Sequence, residues 1–206
     1  GTSPSVTSET VKIVVSATTW NGSTWDNGAP TSTTSAIISG NYNVSEDINA
    51  CSLTVNNNAV VTIPSGYNVT LNGAITVDSG SFTLNDIANL IQLTDVANSG
   101  NITVNRNSAA LLRLDYTLWS SPVTNDSLYL QAFSPATNTN RFYNYSTLTN
   151  LYTAIASPST TKFGLGQGYL IRMPNDASST VRTNYLGVFT GVPNNGNIPI
   201  SMINGG

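Results

Sequence analysis

The sequence contains few charged residues and no histidine. Lysine and arginine together number 7, aspartate and glutamate number 10, and charged residues make up 8% of the chain, which is about a third of the level in an ordinary globular domain. The net charge is −3 and there is no cluster of lysine or arginine. Nucleic-acid-binding proteins neutralise phosphates with such clusters. The composition therefore excludes nucleic-acid binding, and we expect no nucleic-acid partner.

Cysteines and long apolar runs are also scarce. Cys51 is the only cysteine, so no disulfide within the chain holds the fold, and we interpret Cys51 as a small buried hydrophobe at the start of a strand. A reactive thiol or an intermolecular bridge is the alternative, but no base accompanies it. No run of about 18 apolar residues predicts a membrane helix, and the N-terminus lacks the regions of a signal peptide. We expect a secreted protein whose leader has been removed, without membrane insertion.

A short repeat is what the sequence does contain. An apolar residue, a threonine, a second apolar residue and Asn or Asp follow one another at residues 53–56, 69–72, 75–78, 82–85 and 102–105. In a strand the apolar side chains share one face, the threonine lies on the other, and Asn or Asp suits a turn. Strands this short cannot bury a face alone. The repeat predicts a parallel β-helix with about twenty residues per coil, although its uneven spacing leaves a short-strand antiparallel sandwich open for residues 36–105.

The charge and the pattern of predicted strands both change near residues 106–111. Residues 13–105 contain six acidic residues and no lysine or arginine, whereas residues 106–206 contain six basic and three acidic residues. Strands predicted beyond residue 110 are longer and more aromatic, and Pro and Gly occur between them, which favours an antiparallel β-sandwich of jelly-roll type. These strands are predicted at residues 111–119, 128–133, 141–145, 169–173 and 185–189.

We therefore predict an all-β fold in which a short-strand solenoid precedes a β-sandwich. Residues 1–18 are a linker or an N-terminal strand, with a first strand at residues 11–16, residues 19–108 form the solenoid, and residues 109–206 form the sandwich. Trp20 and Trp25 lie beside Asn-Gly turns, and we expect them to cap the open end of the stack. A sugar-stacking platform is the alternative for these two side chains.

Segments spread over residues 19–196 resemble a known class of surface protein. The most specific segment is Asp115-Tyr116-Thr117-Leu118-Trp119-Ser120-Ser121-Pro122-Val123, and weaker ones lie at residues 19–22, 25–30, 51–55, 166–172 and 189–196. Together they resemble a cell-surface module common in Bacteroidota, especially in flavobacteria that export proteins through the type IX secretion system. The resemblance implies a secreted or surface-attached protein with a β-helical part and a sandwich part, acting as an adhesin, a gliding component or an accessory region of a hydrolase. Such modules usually continue beyond a position like Gly206, so we expect a fragment or a last strand shared with a neighbour.

No set of residues in the sequence forms a recognisable catalytic site. Polysaccharide lyases built on β-helices need a base beside a charge-neutralising group, and residues 13–105 contain no His, Lys or Arg. Glycosidases need two carboxylates facing one cleft, whereas the adjacent Glu46 and Asp47 would point to opposite faces of a strand. No loop has the acid density of a calcium site. We predict no enzymatic activity, no cofactor and no metal site.

Aromatic residues in the second half leave a binding function open. Aromatic rings stack on sugar rings and amides bind hydroxyl groups, so these side chains could line a carbohydrate groove, or they could fill the core of a sheet. Ser127, in Asp126-Ser127-Leu128, resembles the O-glycosylation sequon of Bacteroidota. The aromatic candidates are Trp119, Tyr143, Tyr145 and Tyr152, with Tyr169 as a further one.

The function expected from these observations is that of a non-catalytic extracellular structural protein, either an adhesin segment or a self-assembling filament subunit. An acidic solenoid and a basic sandwich would attract each other head to tail, and a contact that does not close forms a homopolymer. A terminal strand could also add to a neighbouring sheet. Neighbouring modules of a longer chain and surface glycans are the other expected partners. The alternative is a carbohydrate-binding module of a secreted polysaccharide-degrading enzyme.

Overall fold

Sixteen strands, one short α-helix and one 3-10 turn make up residues 16–200, the part of the chain that this computed structural model describes. Within these residues no helix is long and apolar enough to cross a membrane. The first ten strands are β1 (Ala17–Trp20), β2 (Ser35–Ile38), β3 (Ile48–Ala50), β4 (Leu53–Val55), β5 (Val60–Ile63), β6 (Asn68–Leu71), β7 (Ile75–Val77), β8 (Ser81–Leu84), β9 (Asn89–Gln92) and β10 (Ile102–Asn107). The remaining elements are β11 (Tyr116–Trp119), β12 (Val123–Thr124), α1 (Leu130–Phe133), the 3-10 turn Thr139–Arg141, β13 (Phe142–Ser146), β14 (Leu151–Ala154), β15 (Tyr169–Arg172) and β16 (Leu186–Pro193).

Strands β1 to β10 wind into a solenoid with three parallel sheets. Sheet A has the order β1-β2-β4-β7, sheet C has the order β3-β6-β9, and β5, β8 and β10 are neighbours in sheet B. Leu53 pairs with Ile75, 22 positions later, and Ile48 pairs with Val69, 21 positions later. One coil therefore takes about twenty residues, as expected for a solenoid. Because all these pairs are parallel, the alternative of an antiparallel sandwich for residues 36–105 is wrong.

The five repeat units form β4, β6, β7, β8 and the start of β10. The first apolar residue of each unit is at most 2% exposed, while the threonine between the apolar positions is only partly buried. Two units lie in sheet A, two in sheet B and one in sheet C, so the repeat marks strands rather than coils, and its spacing is uneven for that reason. Asn side chains that follow the apolar positions also bond across coils: Asn105 Nδ2 in β10 donates to Asn85 Oδ1, just after β8, at 3.3 Å.

The tryptophans of the N-terminal region pack at the first described coil. Trp20 is 9% exposed, and its indole N–H donates to the Asn41 carbonyl at 2.9 Å. Its ring lies 5.6 Å from the Trp25 ring and 5.0 Å from the Tyr42 ring, both edge to face. This packing agrees with the capping interpretation. The strand predicted at residues 11–16 lies, apart from its last residue, outside the described residues.

The second part of the chain is an antiparallel sheet that packs on the solenoid. Sheet D has the order β11-β15-β13-β14, and every pair in it is antiparallel. The last described strand, β16, does not join sheet D. It pairs antiparallel with β10 over six residues and with β12, and so extends sheet B of the solenoid. Strand β16 belongs to residues 109–206, which were predicted as the sandwich, but it lies in sheet B of the solenoid.

Sheet D and β16 are held together by aromatic side chains. Phe189 of β16 stacks on Phe133 at 4.8 Å and lies 6.0 Å from Trp119 of β11. Gly187 permits this approach, because a Cβ there would lie 2.7 Å from the Trp119 ring. Buried residues of the solenoid and of sheet D belong to one hydrophobic cluster. The prediction of an all-β fold with a short-strand solenoid and an antiparallel sandwich is confirmed.

Two local predictions need correction. Residues 128–133 were predicted as a strand, but Leu130–Phe133 is helix α1, in which Leu130 and Phe133 are the buried pair. Their spacing of three places both side chains on one helical face. Cys51 is a free thiol that is only partly buried, because it occupies the corner between β3 and β4, where Ala50 and Leu53 fill the core positions.

Candidate functional site

Sheet D has one face in the core and one face outside, and its register assigns each side chain to one of them. On the core face Trp119 pairs with Tyr169, and Phe142 pairs with Ile171. All four of these side chains are at most 8% exposed. Successive side chains of a strand alternate between faces, so the residues between them belong to the outer face.

The outer face carries a row of apolar and aromatic side chains at each level. Leu118, Leu170 and Tyr143 lie opposite one another on β11, β15 and β13. Tyr145 and Tyr152 lie opposite each other on β13 and β14, one level along the sheet. We call this surface the tyrosine face, defined by Tyr116, Leu118, Tyr143, Tyr145, Tyr152 and Leu170.

Two of the predicted carbohydrate-binding candidates lie in the core. Trp119 is 8% exposed, and its ring packs edge to face on Phe133 at 5.1 Å and on Tyr185 at 6.1 Å. Tyr169 is 4% exposed, and its hydroxyl accepts the Gly164 N–H at 3.0 Å. Neither ring has a face open to a ligand, so the core-filling interpretation applies to both residues.

The other three candidates lie together on the tyrosine face. Tyr145 and Tyr152 are 48% and 47% exposed, with ring centroids 5.4 Å apart at an angle of 61°. The Tyr145 hydroxyl donates to the Asn150 side chain at the tip of the β13–β14 hairpin. Tyr143 is partly exposed and lies two residues before Tyr145 on the same strand. The three side chains lie on the outer side of sheet D, where aromatic rings can stack on sugar rings.

Two arginines lie at the end of the tyrosine face. Arg141 Nη1 donates to the Tyr143 hydroxyl at 3.3 Å, and this bond lowers the pKa of Tyr143. Arg172 pairs with Tyr116 across β15 and β11. Burial raises the pKa of Tyr116, and the charges of both arginines act in the opposite direction. The tyrosine face therefore has an aromatic half beside the β13–β14 hairpin and a cationic end formed by Arg141, just before β13, and Arg172, at the end of β15.

None of the cavities found in the described residues is bordered by the residues that define the tyrosine face. Glu46 and Asp47 both border one of about 60 Å³, because they lie in the bend before β3 and not on a strand, and Asp47 accepts the Asn68 N–H at 2.8 Å. Arg106 borders a cavity of about 180 Å³ at the end of the solenoid, but its guanidinium is bound to the carbonyls of Asn85 and Ala88, at 3.1 and 2.6 Å. Two further cavities, of about 360 and 370 Å³, border Tyr185 and Leu165 respectively. Within residues 16–200 there is no group of three or more Cys, Asp or Glu side chains that could hold a metal ion.

Ser127, the predicted glycosylation position, lies in an exposed turn after β12. Its N–H donates to Asn125 Oδ1 at 2.8 Å. The neighbouring Asp126 forms an ion pair with Lys162 at 2.9 Å, which lowers the pKa of Asp126. The Ser127 side chain is accessible to a modifying enzyme, and the glycosylation itself stays a prediction.

Sequence reasoning missed Tyr116, Arg141 and Arg172 as members of the face. Tyr143 and Tyr145 alternate in sequence, and this period of two was a signal that they share a side of one strand. Arg141 precedes Tyr143 by two residues but ends the 3-10 turn before β13, so the same signal did not apply to it. No comparable signal existed for Tyr116 and Arg172, because β11 and β15 are more than forty residues apart in the chain and only the folded register places them together.

Comparisons with known proteins identify a family. No curated protein and no solved structure matches the chain. A family model described as "Domain of unknown function (DUF8693)" matches residues 14–206. This match covers nearly the whole sequence, including the solenoid, sheet D and β16, and the chain therefore belongs to the DUF8693 family.

Proposed function

We propose that the protein is a non-catalytic segment of an extracellular bacterial adhesin, and that its tyrosine face binds carbohydrate. The observation that carries this proposal is the presence of Tyr143, Tyr145 and Tyr152 on one outer face of a sheet. Natural sheets rarely expose several large aromatic rings side by side without a binding role. The type IX secretion resemblance supports the cell-surface location within this proposal.

The rest of the fold suits a rigid support for such a face. Sheet D packs on Phe189 of β16, and β16 is hydrogen-bonded to β10 in the last coil of the solenoid. Binding sites on strands that are fixed by a packed core lose little conformational entropy when a ligand binds. A solenoid of stacked coils can also hold a binding face at a distance from the cell surface.

Several carboxylates of the described residues have structural partners, which supports a non-catalytic role. Asp26 accepts the Thr19 N–H at 2.7 Å and Asp86 accepts the Asn107 N–H at 2.9 Å, and these bonds lower the pKa of both carboxyl groups. Glu46 accepts the Tyr42 hydroxyl at 3.3 Å. A glycosidase would need two carboxyl groups that face one sugar-binding cleft.

The binding test compares the protein with single variants of the face on an array of plant, algal and bacterial polysaccharides. We expect Tyr145→Ala and Tyr152→Ala each to weaken binding by about two- to tenfold, the range for one aromatic contact. Leu151→Ala is the matched control, because Leu151 is 64% exposed on the same strand but points to the other side. Circular dichroism checks that all variants are folded. Failure of the unaltered protein to bind any glycan, or full binding by the two tyrosine variants, would exclude the proposal.

Self-association is a second candidate, and the edge of sheet D favours it. Strand β14 is exposed at all four residues, and residues 142–161 contain no charged residue. Natural edge strands are usually protected by charge, proline or a bulge. Pairing of β14 with β11 of the next copy would continue the sheet without closing and would form a filament.

Sedimentation velocity over a range of concentrations tests self-association. We expect larger species to form as the concentration rises, and we expect Thr153→Lys in β14 to remove them because it places a charge on the edge. Thr147→Lys in the exposed hairpin is the control. A protein that stays strictly monomeric at high concentration and low salt would rule out self-association into filaments.

A further inference from the structure

Arg172 is a buried arginine for which the described residues supply no carboxylate. Its side chain is on the outer side of sheet D, yet the residue is only 8% exposed. Its Nη2 donates to the side-chain oxygen of Asn175, whose amide in turn donates to Asn138. Its Nε is buried and has no hydrogen-bond partner. The guanidinium is therefore covered by neutral groups, with part of its donor capacity unused.

Arg141 has the same shortage at the neighbouring position. Its Nε is also buried and unpartnered, and its bond through Nη1 goes to the neutral Tyr143 hydroxyl. The ion pairs formed within residues 16–200 are Lys162–Asp126 and Arg182–Asp115, so neither arginine at the end of the tyrosine face belongs to one. Arg172 pairs with Tyr116, whose ring lies 5.9 Å from the Tyr143 ring that Arg141 contacts, so both arginines lie at the same end of the face.

The Arg172 side chain and the Arg141 Nε are buried without a counter-charge, which is costly unless they serve a partner. A buried donor without an acceptor destabilises a fold, and a buried charge without an opposite charge does so more strongly. Arginine presents its N–H groups in a planar fork that matches the two oxygens of a carboxylate or a sulfate. Residues 106–206 contain six basic and three acidic residues, and Arg141 and Arg172 are two of these bases that form no ion pair within residues 16–200.

The geometry places Arg141 beside the first of the tyrosines. Tyr143 and Tyr145 are alternate residues of β13 and therefore about 6.8 Å apart, and Tyr152 extends the surface sideways onto β14. Arg141 is the last residue of the 3-10 turn that leads into β13, and its Nη1 reaches the Tyr143 hydroxyl. The surface from Arg141 to Tyr145 accommodates more than one sugar ring of an extended polysaccharide.

We infer that the tyrosine face binds an acidic polysaccharide, with the carboxylate or sulfate of one sugar held by Arg141 and Arg172 and neighbouring rings stacked on Tyr143, Tyr145 and Tyr152. This inference rests on the proposed carbohydrate-binding function and names its ligand class. The aromatic rings supply contact area for the sugar rings, whereas the arginines select for negative charge. A neutral polysaccharide would leave both guanidinium groups without an opposite charge.

The test measures binding by isothermal titration calorimetry with matched pairs of polysaccharides. Polygalacturonate is compared with its carboxyl-reduced form, and κ-carrageenan with its desulfated form, so that carboxylate and sulfate are distinguished. We expect at least one acidic member to bind about tenfold or more tightly than its neutral counterpart, as a charge-assisted contact is about twice as strong as a neutral one. Added salt should reduce this preference, because screening weakens exposed charge pairs.

Variants separate the charge contact from the stacking contact. Arg141→Gln should bring the affinity for the acidic polymer down to that for the neutral polymer, while Tyr152→Ala should weaken both. Lys162→Gln is the control, since Lys162 is paired with Asp126 and lies on none of the strands of sheet D. Equal affinity of the unaltered protein for acidic and neutral members would overturn the inference and leave the carbohydrate function standing. An absence of binding to every polymer would overturn both the inference and the carbohydrate-binding function. If folded Arg141→Gln and Arg172→Gln variants kept the preference for acidic polymers, the assignment of the arginines would be overturned.

Discussion

Replacement of Phe189 by alanine should destabilise the solenoid and sheet D together. Phe189 is 1% exposed and lies on β16, the strand that is hydrogen-bonded to β10 of the solenoid. Its ring stacks on Phe133 at 4.8 Å and lies 5.5 Å from Phe163 and 6.0 Å from Trp119. The side chain therefore belongs to the contact through which the two parts of the fold are joined.

The size of the effect follows from burial and from the cavity left behind. Removal of a buried phenylalanine side chain costs about 3–5 kcal/mol, which includes the lost transfer free energy and the cavity. The three neighbouring rings are rigid and cannot close the gap easily, so we expect a value of about 4 kcal/mol. With an m-value of about 2.5 kcal/mol/M, the urea midpoint should fall by about 1.6 M.

Hydrogen exchange measured by mass spectrometry can assign this loss to each part of the molecule. If the parts unfold as one unit, peptides from β4 and from β15 should lose protection by the same factor, roughly a thousandfold for 4 kcal/mol. Val188→Ala is the matched control, since Val188 is 43% exposed on the same strand and should cost less than about 1 kcal/mol. Unchanged protection of β4 beside a large loss at β15 would refute the shared core.

Two further substitutions test individual turns and contacts of the solenoid. Gly80 has a φ of +96°, and a Cβ there would lie 2.2 Å from a backbone oxygen of the adjacent coil. Gly66 has a similar φ of +88°, but the space around it is open. Gly80→Ala should therefore lower the urea midpoint more than Gly66→Ala, and equal losses would contradict this reasoning. The N–H of Asn107 lowers the pKa of Asp86, so this contact stabilises the fold above the ordinary carboxyl pKa and the stabilisation is lost as the pH falls through the lowered value. Asp86→Asn should therefore reduce the melting temperature at about pH 7 and converge with the unaltered protein at about pH 2, whereas the exposed Asp78→Asn should have little effect at either pH.

The strands of the solenoid could be predicted because their pattern is local. Between residues 53 and 105 each strand except β9 has apolar side chains two positions apart, and each of these strands is followed by a turn residue. These features depend only on the alternation of a strand and on the preference of Asn and Asp for turns. Strand β3 was not predicted, because Ile48–Ala50 has only one large apolar residue.

The candidate site was only partly predictable because its members come from different strands. Tyr143, Tyr145 and Tyr152 were found as candidates, but so was Trp119, which belongs to the core. An aromatic residue on a strand has the same pattern whether it faces the core or the solvent. The distinction came from packing, since the inner face of sheet D is the one that meets Phe189.

The sequence by itself determined the class of fold and the scarcity of catalytic groups. Short strands with alternating apolar residues, polar turns and few charged residues favour stacked sheets in any arrangement. Each of these features can be identified from residues that are neighbours in the sequence. Tertiary structure alone decided that β16 joins β10, residues more than eighty positions away, and that Arg172 lies buried beside Tyr116. Such contacts depend on register and on which faces pack together, and those are set by the energy of the whole core rather than by any local segment.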